Sequence, residues 1–255
     1  MKKIFLILVS VCLFNAISYG EEVQEVLRMV QEKVKAVNSY KADFILKIDS
    51  PTGEMLMKGN ILFKREDKLK MEINMPNLPN ATQLTVSDGK TMWQYLPFLK
   101  VASRVDLADL KKEFGDAYFA YAKEDISRPL KEAKEGSIKY LGKEKFGDKE
   151  CFVLEAEPKR DYPRDVPFSR FKVWIDADSG LERKVVFYND EGKELLIRSY
   201  ENVFINTPLE DREFEFSPPE GTEIIEMTEE TKAYIKREVG VSPQPSLFPE
   251  VSPNP

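Results

Sequence analysis

The sequence predicts a mainly β fold with a helical lid, an α+β arrangement in which an unclosed antiparallel β-barrel is covered on its concave side by an N-terminal helix and short inserted helices. Three observations carry this expectation. About ten segments alternate apolar and polar side chains with the period of two that marks a half-buried strand. Only one long segment, near the start, has the period of a helix with a single apolar stripe. Short helical segments interrupt the strands midway, and helix and inserts are the available cover for a sheet that curls into an incomplete barrel.

The first twenty residues read as a secretory signal peptide and not as part of the fold. Lys2 and Lys3 make a basic start, Ile4 to Phe14 is an apolar run too short to span a bilayer, and Ser18 and Gly20 supply small residues at the −3 and −1 positions of a cleavage site. Cys12 follows Val11 instead of Gly, Ala or Ser, so no lipoprotein anchor is read there. Cleavage after Gly20 leaves 235 residues and moves the net charge from −6 to −8. That charge gives no electrostatic reason to expect nucleic acid or an anionic membrane surface, beyond transient membrane association. Cys151 is then the sole cysteine, so no intramolecular disulfide is available and the fold must stand on its core.

The chain contains no histidine. Zinc and copper sites, Ser-His-Asp and Cys-His nucleophile systems and imidazole acid–base catalysis therefore lose their usual participant. No paired carboxylates declare a hydrolase either, so no enzyme, no cofactor and no metal are expected. Asp176 and Asp178 sit like the start of a calcium loop, but the glycine comes one place early and Phe187 stands where the closing Glu would be, which favours a hairpin turn.

Taken in order, Val23, Val26, Leu27, Val30, Val34 and Val37 recur at helical spacing from Glu21 to Asn38. Tyr40, Ala42, Phe44, Leu46 and Ile48 then alternate with polar residues as a strand. Pro51 to Glu54 turns the chain, and Met57, Gly59, Ile61 and Phe63 share one face of the return. Leu69, Met71, Ile73 and Met75 follow, then Thr82, Leu84 and Val86. Asp88-Gly89 is the strongest hairpin signal, since both residues tolerate the positive φ of a tight turn. It leads into a strand with Trp93 and Tyr95 on one face, stopped by Pro97. Met55, Met57, Met71, Met75 and Met92 concentrate in this meander, and methionine suits a surface that repacks around variable apolar partners.

From about 105 to 135 the strand pattern stops. Asp106 can cap a helix bearing Leu107, Leu110 and Phe114, and Tyr118, Phe119 and Tyr121 follow beyond Gly115, so this insert reads as a lid or plug across the sheet. Strands resume at Ile138, with Cys151 as a buried apolar residue, and continue through Phe204. Lys159 to Pro167 reads as a surface loop. Thr228 to Val239 can form a capped helix, and 241–255, with five prolines, reads as a disordered tail. The expected organisation is thus a signal peptide at 1–20, a single domain at 21–240 and the tail.

The secretory start, the helix leading into Ser39-Tyr40-Lys41-Ala42-Asp43-Phe44, the strand Gly59 to Arg65, the hairpin Val86 to Phe98 and the close Phe214 to Gly221 together resemble the LolA/LolB superfamily of periplasmic lipoprotein carriers, in its outer-membrane lipoprotein-sorting branch. The resemblance spans roughly 21–225. It implies a periplasmic protein with a hydrophobic cavity that shelters the acyl chains of a lipoprotein or lipid, with an inner-membrane donor complex and an outer-membrane acceptor as partners and a monomeric carrier between them. It also implies an arginine at the end of the second strand that holds the lid shut, and Arg65 occupies that place. Leu69 and Met71 stand at two cavity positions that are aromatic in the carriers. With the apolar faces read above, the candidate cavity residues are Phe44, Leu46, Phe63, Leu69, Met71, Trp93, Tyr95, Phe98, Phe114 and Tyr118. An alternative use of the same half-barrel is a lipid or lipoprotein sensor, or a scaffold, acting through a protein partner.

Overall fold

The stripe of valines near the N-terminus forms α1 (Glu21–Lys35), with acidic residues in its first turn and Lys33 and Lys35 in its last, the arrangement the helix dipole favours. The structure is a computed structural model that describes residues 20–50, 53–74, 81–115, 130, 133–159 and 168–239. Six strands follow the helix: β1 (Ser39–Ser50), β2 (Gly53–Lys64), β3 (Lys68–Asn74), β4 (Thr82–Asp88), β5 (Thr91–Leu96) and β6 (Val101–Asp106). Then come α2 (Leu107–Phe114), β7 (Lys139–Phe146), β8 (Lys149–Ala156), β9 (Arg170–Asp176), β10 (Glu182–Tyr188) and β11 (Glu194–Ile205). A single 3-10 turn (Asp211–Phe214), β12 (Glu223–Glu226) and α3 (Thr228–Val239) close the described chain.

All twelve strands join one unclosed sheet in the order β12-β6-β5-β4-β3-β2-β1-β11-β10-β9-β8-β7. The meander β1 to β6 and the meander β7 to β11 meet where β1 pairs with β11, which places the two ends of the sequence pattern side by side at the centre. Every pairing is antiparallel except β12 with β6. Twelve strands stand where about ten were expected. Val101–Asp106 mixes Ser103 and Arg104 with short apolar residues, and Glu223–Glu226 is exposed at every position, so neither has the alternation that betrays a strand.

Both sets of helices lie on the same face of the sheet. Val23, Val26 and Val30 of α1 pack on Phe152, Leu154, Phe171, Val173, Val185 and Phe187 from β8 to β10. The end of α1 packs through Val34 and Val37 on Tyr40, Ala42, Phe44, Ile61 and Tyr200. At the far end α2 and α3 meet through Leu110, Phe114 and Ile235 over Val105 and Met92. Asp106 caps α2, its carboxylate accepting from the Asp109 amide at 2.9 Å, as the sequence predicts.

The Asp176 to Gly180 turn uses the Asp176 carboxylate for its own backbone, and Asp178 is exposed. One Asp176 oxygen accepts from the amides of Asp178 (2.8 Å) and Ser179 (3.1 Å), and the other lies 3.4 Å from Arg183. Among the described residues no cluster of acidic, cysteine or histidine side chains is placed to hold a metal ion. Cys151 is fully buried in β8, and burial pushes its thiol up to about 11, away from thiolate chemistry. Among the described residues no helix is long and apolar enough to cross a membrane. Residues 1–19, the 116–129 part of the insert with Tyr118, the loop at 160–167 and the tail from 240 lie outside the described residues.

Candidate functional site

Cross-strand partners point to the same side of a sheet, so the register assigns each side chain to a face. Tyr40 pairs with Phe63 and Phe63 with Leu69; Ala42 pairs with Ile61 and Ile61 with Met71. With Phe44, Leu46 and Ile73 they form one apolar wall on the face that α1 covers. Phe44 and Met71 are buried, whereas Leu46, Phe63, Leu69 and Ile73 are only partly so. Phe63 stacks on Tyr40 with ring centroids 5.1 Å apart, and Phe44 leans on Tyr200 at 5.8 Å. This wall lies between the ground held by α1 and that held by α2 with α3.

Arg65 follows the wall directly. Its Nε donates to the carbonyl of Val37 at 2.8 Å, and one terminal nitrogen donates to the carbonyls of Lys35 (2.6 Å) and Val34 (3.2 Å). The last carbonyls of a helix have no partner within it, so the guanidinium supplies what the end of α1 lacks. Asn206, just beyond β11, completes the cap by donating to Ala36 at 3.1 Å and accepting from the Asn38 amide at 2.7 Å. The resemblance singles out Arg65, whereas Asn206 is not among the expected residues, its only signal being an amide side chain directly after a strand.

Phe114 belongs to the second lid region, buried in α2 against Leu110 and Ile235. A charged seam ties those two helices together. Lys232 of α3 lies 2.6 Å from Asp109, 2.8 Å from Glu229 and 3.3 Å from Glu113, and Lys236 lies 2.6 Å from Glu113. Hydrogen bonds that the Lys232 ammonium donates to Asp109 and Glu229 push its pKa up, and one donated by Lys236 holds Glu113 below its ordinary value.

Of the other expected residues, Trp93, Tyr95 and Phe98 are not brought to this wall, and Tyr118 lies outside the described residues. Met71 pairs with Thr85 and Leu69 with Ser87, so β4 turns its polar side chains inward and Leu84 and Val86 outward. Val86 pairs with Trp93 and Leu84 with Tyr95, which puts both aromatics on the face opposite Met71. There they pack on Phe216, at 5.8 and 5.5 Å between ring centroids. The cover comes from the chain after β11, which crosses the outer face as a strap: Asp211 bridges Lys64 and Lys68 at 2.7 Å each, and the 3-10 turn packs on β3 and β4 with Phe214 buried. Phe98 lies in the turn before β6 and is 42% exposed.

A second feature invisible to periodicity is a buried ion pair on the inner face. Glu182, fully buried, accepts two hydrogen bonds from Arg198, each 3.1 Å, and the guanidinium also faces the Tyr200 ring at 5.9 Å.

Comparison with known proteins gives relatives of two kinds. A family model described as "Uncharacterized protein" matches residues 66–214. An uncharacterized protein of Methanocaldococcus jannaschii is 24% identical over 79% of this chain and 53% of its own length. The outer-membrane lipoprotein carrier protein of Psychromonas ingrahamii is 32% identical over 43% of this chain and 52% of its own length. The chain thus spans about half the length of these two curated relatives. The outer-membrane lipoprotein carrier protein of Serratia proteamaculans is 24% identical over 87% of this chain and 96% of its own. An uncharacterized conserved protein from Thermus thermophilus, solved as a crystal structure, shares the fold with a TM-score of 0.54 at 12% identity, covering 81% of this chain and 99% of that one. Since residues 66–214 are more than half of the chain, it belongs to the family of that model, and the carrier relatives make it a LolA-like protein.

Proposed function

We propose that this protein is a periplasmic carrier that shelters the acyl chains of a lipoprotein or lipid against the inner wall of its half-barrel and passes them toward the outer membrane. The observation that carries the reading is a partly buried apolar wall, Leu46, Phe63, Leu69 and Ile73, beneath a helix whose last turn is held by Arg65. Each methylene withheld from water is worth about 0.8 kcal/mol, so a chain of ordinary length needs an escort worth on the order of 10 kcal/mol to cross an aqueous gap. Partly buried side chains on the wall, with Met71 and Met92 beside them, can repack around such a chain at low cost. The relatives named as lipoprotein carriers support this cargo. No step of the reading requires a catalytic group or a cofactor.

The test is native mass spectrometry of the protein purified from the periplasm, together with titration of a fluorescent fatty acid. Acylated ligand that co-purifies, and probe binding weakened about tenfold or more by Leu69→Asp, are the expected results. A protein that purifies empty and takes up no probe overturns the reading.

A further inference from the structure

The two edges of the sheet are treated differently. β7 carries Lys139, Lys143 and Lys145 and a register shift between Tyr140 and Gly142, devices that discourage pairing with another strand. At the other edge β12 shows aliphatic side chains on both faces, with Ile224 55% and Ile225 42% exposed, and the neighbouring turn adds Phe98 and Leu99 at 42% and 55%. β12 is bound to β6 along one side only: the Glu223 amide donates to the Lys100 carbonyl at 2.9 Å and the Met227 amide to Arg104 at 2.8 Å. The alternation of a strand then turns the amides of Ile224 and Glu226 away from β6, toward an edge that no other described strand occupies.

The chain segment that forms this edge carries charge of one sign, with Arg104 of β6 beside it paired to Glu226. Between Arg212 and Lys232 the chain carries Glu213, Glu215, Glu220, Glu223, Glu226, Glu229 and Glu230 and no lysine or arginine. A second copy of the same edge would set glutamate against glutamate, and an anionic lipid surface would be repelled as well. An extended segment with apolar residues at its centre and lysine or arginine at its ends meets both the aliphatic side chains and the glutamates.

We infer that the outer edge of β12 is a docking strand for an extended, basic-flanked segment of a partner protein, bound by strand addition. This surface is separate from the inner wall and stands or falls independently of the carrier reading. Arg104 and Thr228 already engage Glu226, so the carboxylates that select the partner are those of Glu220 and Glu223.

The probe is a nine-residue synthetic peptide, Lys-Lys-Val-Thr-Val-Ile-Val-Lys-Lys with blocked ends, added to the full chain. Its counterpart carries glutamate in place of every lysine. The expected result is slowed hydrogen exchange at the Ile224 and Glu226 amides with the basic peptide and none with the acidic one. The Glu220→Lys, Glu223→Lys double variant should bind the basic peptide about tenfold more weakly. No protection at β12, protection at β7 instead, equal binding of both peptides, or protection of the same amides by self-association without peptide would each overturn the inference. A fatty-acid titration on the same sample separates that failure from failure of the carrier reading.

Discussion

A terminal nitrogen of Arg65 lies 2.6 Å from the carbonyl oxygen of Lys35, joining the end of β2 to the last turn of α1 across thirty positions of sequence. With Val34 and Val37 bound by the same guanidinium and Ala36 by Asn206, four successive carbonyls at the helix end are satisfied from outside the helix. A cation at a helix C-terminus is also favoured by the dipole. The end of α1 is therefore held over the central strands by polar bonds made at its tip, while its middle is held by apolar packing on β8 to β10.

Arg65→Leu should free that tip without disturbing the packed middle. Arg65 is exposed to solvent at its edge, so the loss is moderate, about 1–3 kcal/mol of stability. The diagnostic result is kinetic: a fluorescent fatty acid bound by the protein should exchange faster in Arg65→Leu, and Arg65→Lys should fall between it and the parent because it keeps the charge but not the fork of donors. Exchange rates unchanged in both variants would remove this residue from the release step.

Gly180 should tolerate no side chain. It closes the Asp176 turn at φ +75°, and an added Cβ would stand 2.7 Å from the Val30 carbonyl oxygen and 3.0 Å from Val34. The turn that resembles a calcium loop is thus a seat for α1. Gly180→Ala combines the left-handed penalty with a clash against helix backbone, and thermal unfolding should register a loss of about 2–4 kcal/mol. A loss below half a kcal/mol would mean that the turn and α1 separate freely.

The strands and α1 were legible because burial on one face writes a period into the sequence, and α2 and α3 because Asp106 and Thr228 mark their starts. What could not be read was which face each strand presents. Leu69, Met71 and Ile73 alternate as cleanly as Leu84, Val86, Trp93 and Tyr95, yet the register of β3 with β4 sends the two sets to opposite sides. The outer set is apolar because a strap more than a hundred residues later lays Phe214 and Phe216 over it, and nothing local announces a cover that distant. The sequence therefore marks Trp93 and Tyr95 correctly as buried-side aromatics and misplaces them relative to Met71. The same blindness hides the Glu182–Arg198 pair, since charges read as solvent-facing until the fold surrounds them.

That pair offers a clean double-mutant cycle. Glu182→Ala leaves the Arg198 guanidinium without its bidentate partner on a mostly buried face and should cost about 3 kcal/mol, at the lower end for a buried pair because Arg198 retains 21% exposure. The Glu182→Ala, Arg198→Met double variant should recover most of the loss, because an unpaired charge costs more than an apolar replacement. Chemical denaturation of the four proteins measures the coupling. A strictly additive double variant would show that the two side chains do not act as a pair.

The strap should respond to acid through Asp211. Hydrogen bonds from Lys64 and then Lys68 hold its carboxyl down at about 2, below the ordinary 3.8. A depressed carboxylate stabilises the state that holds it charged. Its contribution is fully present above the ordinary value and is lost as pH falls from about 4 toward 2. Phe216 rests on Trp93 in the same strap, so the indole reports whether the strap is seated. In a Trp174→Phe background, Trp93 emission should change over that acid window and stay flat from pH 5 to 8. Asp211→Asn removes the titrating group, so its emission should resemble the acid form at neutral pH and lose the transition. An unchanged transition in Asp211→Asn would assign the acid response to another carboxylate, and added salt should weaken the parent's strap because Asp211 and Lys64 face solvent, though Lys68 is largely covered.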